Sequence, residues 1–236
     1  MSLLELEGVR KRREDGGALL LREVSLRIEA GELAVVWGMR GSGRSTLLRI
    51  AAGIEPPDAG AVRFEGRDLS GRGRRLLGEG IGYCHRTLRF GESQSALEHA
   101  MVGPLSRWVA PAAARRRALA ALERVGAAHC AGLRQHKLTG GEAVRVALAR
   151  TLALAPRMVV VDEPVAGVDL AERDGVLGLL RSLADEGVAV LASTGESTGL
   201  SQADRAFALG EGTLRSAPQR PLAAVVQLRR AASGGS

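Results

Sequence analysis

The chain has 236 residues, 45% of them hydrophobic, and a formal net charge of +7 at pH 7. That length can bury the core of one large domain, no apolar run reaches the roughly 18 residues of a membrane span, and the amino terminus lacks a signal-peptide pattern. Two cysteines form no disulfide framework and suit a reducing compartment. Only two of the 33 basic residues are lysines and aromatic residues make up 3%, so we attribute the basicity to coding bias and expect no nucleic-acid partner.

The first quarter of the chain predicts strands around one glycine-rich loop. Residues 3–10 and 19–29 alternate apolar and polar side chains, which predicts antiparallel strands. Residues 32–38, ELAVVWG, are a continuous apolar run that predicts a buried strand, and a helix should begin inside the loop that follows. PPDAG at 56–60 predicts a turn, and AVRFEG after it predicts an edge strand.

The rest of the chain alternates helical and strand patterns. Ala- and Arg-rich residues 91–135 predict a helical subdomain, which we bound at about 86–137. Two helices are predicted next, at EAVRVALARTLAL and ERDGVLGLLRSLADEG. Buried strands are predicted at RMVVVDEP and VAVLAST, and a hairpin at DRAFALGEGTLR. We expect an α/β domain over 1–215 with a P-loop core, a mostly parallel sheet, an N-terminal antiparallel β subdomain and an α-helical subdomain, followed by a partly mobile tail at 216–236.

GMRGSGRST, residues 38–46, has the glycine spacing of a phosphate-binding loop between a strand and a helix. Such glycines let backbone N–H groups turn toward phosphates, and the helix N-terminus adds a favourable dipole. Arg44 stands where such loops carry lysine; it keeps the charge, but its planar fork requires a different geometry. The alternative is an ordinary glycine-rich turn. The predicted phosphate-binding residues are Gly38, Arg40, Gly41, Ser42, Gly43, Arg44, Ser45 and Thr46.

Two further motifs carry groups suited to phosphate chemistry. VVVDEP ends an apolar strand at Asp162, which with Ser45 could hold Mg²⁺, and at Glu163, which could polarise an attacking water. LTGGE begins a helix and predicts a second anion site. A surface carboxylate pair and a simple helix cap are the alternatives. The residues of the second anion site are Leu138, Thr139, Gly140, Gly141 and Glu142.

The order of these motifs resembles the ATP-binding cassette of ABC transporters over residues 3–215. GMRGSGRST is similar to Walker A, LTGGE to the signature motif, VVVDEP to Walker B, and AGVD, ending at Asp169, to the D-loop. ALEHAMVGPL, ALAALERVG and STGESTGLSQADR resemble the lipoprotein-release and macrolide-export branch. The resemblance implies ATP and Mg²⁺ as cofactors, Glu163 as the catalytic residue, a membrane permease and a second cassette as partners, and a peripheral location at the cytoplasmic face of the membrane.

Four positions depart from the family pattern on the nucleotide side. Arg44 replaces the Walker A lysine, Arg86 stands at the Q-loop position, and Gly195 replaces the switch histidine. No aromatic residue occurs between Gly8 and Trp37, where one would stack on adenine, so stacking of about 1–3 kcal/mol is lost. Arginine near positions 12–13 could recover part of that by planar stacking. These losses contrast with the intact signature motif and D-loop.

Three hypotheses follow. The first is a degenerate cassette, paired with a second cassette whose ATP site its LTGGE segment completes. The second is a self-paired ATPase that uses Arg44, and the third is a regulatory cassette that does not hydrolyse ATP. We do not expect a cassette that acts on nucleic acid or the ribosome, because such proteins usually carry paired cassettes or large inserts and this chain has one cassette without a large insert. The four histidines, His85, His99, His129 and His136, show no metal-ligand spacing, and we expect no metal site from them.

Overall fold

The computed structural model describes residues 2–13, 17–69, 80–85, 94–196 and 202–217. Ten strands form two sheets, and five α-helices lie among them in the described part of the chain. The predicted α/β class with a mostly parallel sheet, an antiparallel β subdomain and a set of helices is confirmed. No helix among these residues combines the length and the apolar character needed to cross a membrane.

The smaller sheet is antiparallel and has the order β2-β1-β4-β5. Its strands are β1 (Leu4–Arg12), β2 (Leu19–Ile28), β4 (Ala59–Phe64) and β5 (Arg67–Asp68). The alternating patterns at 3–10 and 19–29 are therefore confirmed as paired strands. The prediction of an edge strand at AVRFEG was wrong, because β4 pairs with both β1 and β5. Glu65 and Gly66 both have positive φ, and this tight turn returns the chain as β5.

The larger sheet has the order β10-β9-β3-β8-β7-β6. All neighbouring pairs are parallel except the β9–β10 hairpin. Because β3 lies beside β8, and β8 beside β7, the loops after these three strands open at one edge of the sheet. Its strands are β3 (Leu33–Trp37), β6 (Ile81–Cys84), β7 (Met158–Val161), β8 (Ala189–Thr194), β9 (Arg205–Gly210) and β10 (Thr213–Ala217).

The five helices are α1 (Arg44–Ala51), α2 (Ala96–Leu105), α3 (Pro111–Arg124), α4 (Gly140–Leu152) and α5 (Leu170–Asp185). Two 3-10 turns, Ala128–Cys130 and Gln135–Lys137, connect α3 to α4. The central strands are apolar on both faces, since alternate residues of β3 and β7 belong to two different core clusters. One cluster includes α1 and the small sheet, and the other includes α3, α4 and α5.

The carboxyl-terminal hairpin is longer than predicted. Ser216 and Ala217, assigned to the tail from the sequence, pair with Phe207 and Ala206 in β10. Backbone pairing along β9 continues through these two residues whatever their side chains, which a composition-based boundary could not detect. The remainder of the predicted tail, 218–236, lies outside the described residues.

Candidate functional site

The glycine-rich loop connects the end of β3 to α1, in the strand–loop–helix order that the sequence predicted. Gly43 is the N-cap of α1 and has φ of 101°, a left-handed conformation that glycine adopts at no steric cost. Glycine offers no side chain to cap the helix, so the first N–H groups of α1 remain available to an anion. Ser42 N–H donates to the Met39 carbonyl at 3.1 Å and tightens the loop.

Two buried polar atoms of this loop fit a phosphate ligand. Among the described residues, Ser42 Oγ and Arg44 Nη1 are buried without a hydrogen-bond partner. Buried donors without partners are costly, and phosphate oxygens would accept from both. Arg40 and Gly41 are exposed, while Ser45 is half-buried and Thr46 is buried at the start of α1. The residues present therefore fit a nucleotide phosphate group.

Arg44 also forms a buried ion pair within the protein. Its Nη2 donates to Glu163 Oε1 at 2.6 Å, and the two side chains are only 6% and 13% exposed. This pair joins the predicted phosphate loop to the predicted catalytic carboxylate. One oxygen of Glu163 thus accepts a charged hydrogen bond, which is among the stronger kinds in proteins.

The position predicted for the switch histidine adjoins the same guanidinium. A Cβ atom added at Gly195 would lie 3.4 Å from Arg44 Nη2 and 3.5 Å from Nη1. A β-carbon would fit there in ordinary van der Waals contact, and Gly195 itself is exposed. Arg44 and Gly195, two predicted departures that are 151 positions apart in the sequence, therefore lie side by side.

Ser193 orients the pair of carboxylates at the end of β7, and sequence reasoning missed it. Its hydroxyl donates to Asp162 Oδ1 at 2.6 Å and accepts from the Glu163 N–H at 3.0 Å. Glu163 has φ of 48°, an uncommon conformation for a residue other than glycine and one that clusters at functional sites. A serine near the end of an apolar strand was the available signal. Asp162 and Ser45 carry the oxygen ligands that Mg²⁺ prefers, and they remain its predicted holders.

The signature segment forms the N-terminus of α4 and is held by a capping box. Thr139 Oγ1 accepts from the Glu142 N–H at 3.2 Å, and Glu142 Oε2 accepts from the Thr139 N–H at 2.9 Å. The Thr139 N–H and the neighbouring His129 lower the pKa of Glu142 below its ordinary value. The geometry therefore agrees with the alternative of a helix cap. The anion site at Leu138 to Glu142 stays a prediction.

Glu172, which the sequence did not single out, ties this segment to α5. It accepts from Thr139 Oγ1 at 2.7 Å and from the Gly141 N–H at 3.2 Å. A Cβ atom at Gly140 would lie 2.6 Å from the Gly167 carbonyl, so the predicted signature and D-loop segments are in close contact. Asp169 is the exposed N-cap of α5.

A cleft of about 350 Å³ brings together residues from three of the predicted motifs. Asp162 and Glu163 line it beside Gly140, together with His85 at the end of β6. Arg86, the predicted Q-loop residue that follows His85, lies outside the described residues.

The predicted adenine-stacking region lies on an open cleft of about 610 Å³ lined by Arg12, Arg13 and Arg49. Arg12 and Arg13 are exposed, so their planes are accessible to a base. Asp58 holds this segment by accepting from the Arg12 N–H at 2.7 Å and pairing with Lys11 at 3.1 Å. These two contacts, the backbone one first, lower the pKa of Asp58.

The fold, the phosphate loop and the strand-end carboxylates define a P-loop nucleotide-binding protein. A family model described as ABC transporter matches residues 21–166, more than half of the chain. The chain belongs to this family through its ATP-binding domain, and the family predicted from the motif order is confirmed.

Several relatives match along most of the chain. The phosphonates import ATP-binding protein PhnC of Frankia casuarinae is 40% identical over 225 residues, covering 90% of this chain and 88% of that protein. The lipoprotein-releasing system ATP-binding protein LolD of Gluconobacter oxydans is 34% identical, covering 90% and 95%. The macrolide export ATP-binding/permease protein MacB of Nitrobacter winogradskyi is also 34% identical, but the chain covers only 34% of it. The predicted branch is represented by LolD and MacB.

Solved structures agree with this assignment. The ATP-binding cassette MJ0796, in a dimeric post-hydrolysis state bound to ADP and Pi, has a TM-score of 0.82 and 25% identity and covers 92% of this chain. A nucleotide-free cassette from an ABC transporter has a TM-score of 0.84 over 99% of the chain. The fold is that of an ABC ATPase cassette.

Proposed function

We propose that this chain is the ATP-binding subunit of an ABC transporter that combines an impaired nucleotide site of its own with a signature segment offered to a second cassette. A membrane permease is its other partner, and the chain lies peripherally at the cytoplasmic face of the membrane. The names of its relatives support the transporter role. The observation that carries the finer proposal is the 2.6 Å ion pair between Arg44 and Glu163.

The ion pair impairs hydrolysis for two physical reasons. Glu163 must accept a hydrogen bond from an attacking water, but its Oε1 already accepts one from a buried guanidinium. Arg44 also divides its charge between this carboxylate and any phosphate in the loop, whereas an undivided cation would face the phosphate alone. Gly195 offers no imidazole to orient the water, so position 195 contributes nothing to that step.

Binding is less affected than turnover. Ser42 Oγ and Arg44 Nη1 remain without partners among the described residues, and both suit phosphate oxygens. General acid–base groups typically contribute about 100- to 10,000-fold to a rate, so their loss slows hydrolysis far more than it weakens binding. We therefore expect the chain to bind Mg-ATP and to hydrolyse it at least about 100-fold more slowly than an assembly with a complete site.

The signature segment is ordered by contacts that do not involve nucleotide. The capping box and Glu172 hold Thr139 and Gly141 at the start of α4. A helix N-terminus is suited to bind the phosphate of an ATP held mainly by another cassette, but the Gly141 and Glu142 N–H groups donate to Glu172 Oε2 and Thr139 Oγ1, so such a phosphate must replace Glu172 or use other N–H groups of this segment. This contrast between an ordered signature segment and an occupied catalytic carboxylate favours a pair of unlike cassettes.

The experiment compares the chain's own nucleotide site with its signature segment within one assembly. A tag on this chain recovers it with its permease and second cassette, and ATP turnover is measured for the assembly and for the isolated chain. Glu163→Gln should leave turnover of the assembly within about twofold. Thr139→Ala removes the hydroxyl that caps the signature segment and should lower turnover at least about tenfold, a change that corresponds to about 1.4 kcal/mol. Thr139→Ser is the matched control, since it keeps the hydroxyl and the cap. Robust turnover by the isolated chain that Glu163→Gln abolishes would overturn the proposal.

A self-paired ATPase is the second candidate, and one observation favours it. Arg44 Nη1 is buried and without a partner among the described residues, so the guanidinium could bridge Glu163 and a phosphate. This candidate predicts that Arg44→Ala abolishes ATP binding and that transport needs no second cassette. A regulatory cassette without nucleotide is the third candidate, and micromolar Mg-ATP binding measured by calorimetry would exclude it.

A further inference from the structure

Three potential metal ligands meet beside the N-terminus of α4. His129 and Cys130 belong to the 3-10 turn before it, and Glu142 lies in its first turn. The His129 Nε2 and Glu142 Oε1 atoms are 2.8 Å apart. One ligand atom from each of the three residues lies within 4.8 Å of the other two.

The capping role of Glu142 does not account for this cluster. Its Oε2 accepts from the Thr139 N–H, whereas Oε1 is directed at His129. The Cys130 side chain is fully buried behind them. The side chains of His129 and Glu142 are 62% and 22% exposed, so the opening to solvent lies on their side of the cluster.

We infer that His129, Cys130 and Glu142 form a binding site for a borderline-soft divalent cation, of which Zn²⁺ is the best match. Thiolate, imidazole and carboxylate are the three ligand types of zinc sites. Zinc–ligand bonds of about 2.0–2.3 Å in a tetrahedron place the ligand atoms about 3.3–3.6 Å apart. Binding requires the ligand atoms to move from separations of up to 4.8 Å to these values, and the exposed side of the cluster leaves the fourth position to water.

The charges also match. Binding replaces the thiol proton, which leaves to solvent, and the thiolate and carboxylate together neutralise the two positive charges. His129 binds as the neutral imidazole through Nε2.

Zinc binding itself requires neither nucleotide nor a second cassette, although Glu142 also belongs to the signature segment of the proposed function. It escaped sequence analysis since His129 and Cys130 are adjacent, without the two- to four-residue spacing of common zinc motifs, and since Glu142 belongs to a motif already assigned to phosphate. Only the packing of the 3-10 turn against α4 brings the three together.

The test uses the full chain, freed of any affinity tag and of bound metal. Isothermal calorimetry with Zn²⁺ should give one site per chain at micromolar concentration. Co²⁺, as a spectroscopic substitute, should give a thiolate-to-cobalt charge-transfer band and the visible bands of a tetrahedral site. Cys130→Ser should abolish the charge-transfer band, and Cys130→Ser and His129→Gln should each weaken Zn²⁺ binding at least about 100-fold, beyond the roughly 10–100-fold that outer-shell changes cost.

His136→Gln is the matched control, because this nearby exposed histidine lies outside the cluster and should bind as the wild type does. Circular dichroism checks that each variant is folded, and His129→Gln, at an exposed position, keeps the test decisive if Cys130→Ser unfolds. Absence of micromolar Zn²⁺ binding would mean that the cluster is a hydrogen-bonded cap only and would overturn the inference. Equal binding by the wild type and His129→Gln, or a charge-transfer band that survives in Cys130→Ser, would also overturn it.

Discussion

Replacing Arg44 with alanine removes the cation that faces Glu163. With charge centres about 4 Å apart and an effective dielectric constant near 20, the attraction is about 4 kcal/mol before desolvation is counted. Loss of one partner of a buried pair costs about 3–5 kcal/mol, because it leaves an uncompensated charge. The pair adjoins an open cleft that Glu163 lines, so we expect the lower value, about 3 kcal/mol, for Arg44→Ala.

The double variant with Glu163→Gln isolates the interaction. Glutamine is neutral, so in its presence the loss of Arg44 no longer strands a charge. We expect the double variant to be about 2 kcal/mol more stable than the two single effects predict, within the range of measured coupling energies for residues in contact.

Urea unfolding of the nucleotide-free chain measures these free energies, provided that the denaturant dependence is unchanged among the variants. Arg49→Ala with Glu55→Gln is the control cycle. That pair lies in and beside α1 at 2.9 Å, but its side chains are more exposed, and its coupling should stay below about 1 kcal/mol. Effects of Arg44 and Glu163 that add within about 0.5 kcal/mol would refute the reasoning, because they would mean that the two side chains do not interact in solution.

Three further predictions follow from the described contacts. Gly195→His should change stability by less than about 0.5 kcal/mol, because position 195 is exposed and the ring can turn to solvent; a loss above about 1 kcal/mol in urea unfolding would show instead that the ring presses on Arg44. Burial, followed by the charge of Arg150, lowers the pKa of His99 to about 4. Since the unfolded chain binds a proton below pH about 6.5 that the folded chain rejects, stability should fall by about 3 kcal/mol between pH 6.5 and 4. His99→Gln should lack that loss in urea unfolding at the two pH values. Glu172→Ala should cost about 1 kcal/mol and speed amide exchange at the start of α4, whereas unchanged exchange there would mean that the capping box alone orders it.

Local sequence patterns predicted most of the strands and helices, because the alternation or run of apolar residues that marks an element lies within the element itself. Alternation in LLELEGVR and LLLREVSLRIE predicted β1 and β2, and continuous apolar runs predicted β3, β7 and β8. The edge assignment of AVRFEG failed because it required knowledge of which strands flank β4. The tail boundary at position 216 failed for a similar reason, since pairing with β9 extends β10.

The sequence by itself determined the family, and it predicted the phosphate loop and the nucleotide-side departures from the family pattern, because those depend on residue type and order along the chain. Only the tertiary structure decided which of the predicted site residues contact one another. Arg44 and Glu163 are 119 positions apart, and they form an ion pair because the loops after β3 and β7 open at the same edge of one sheet. The tertiary structure likewise brings Ser193, Glu172 and the cluster at His129 to their partners. Their contacts join separate elements, and no pattern along the chain encodes which elements will pack together.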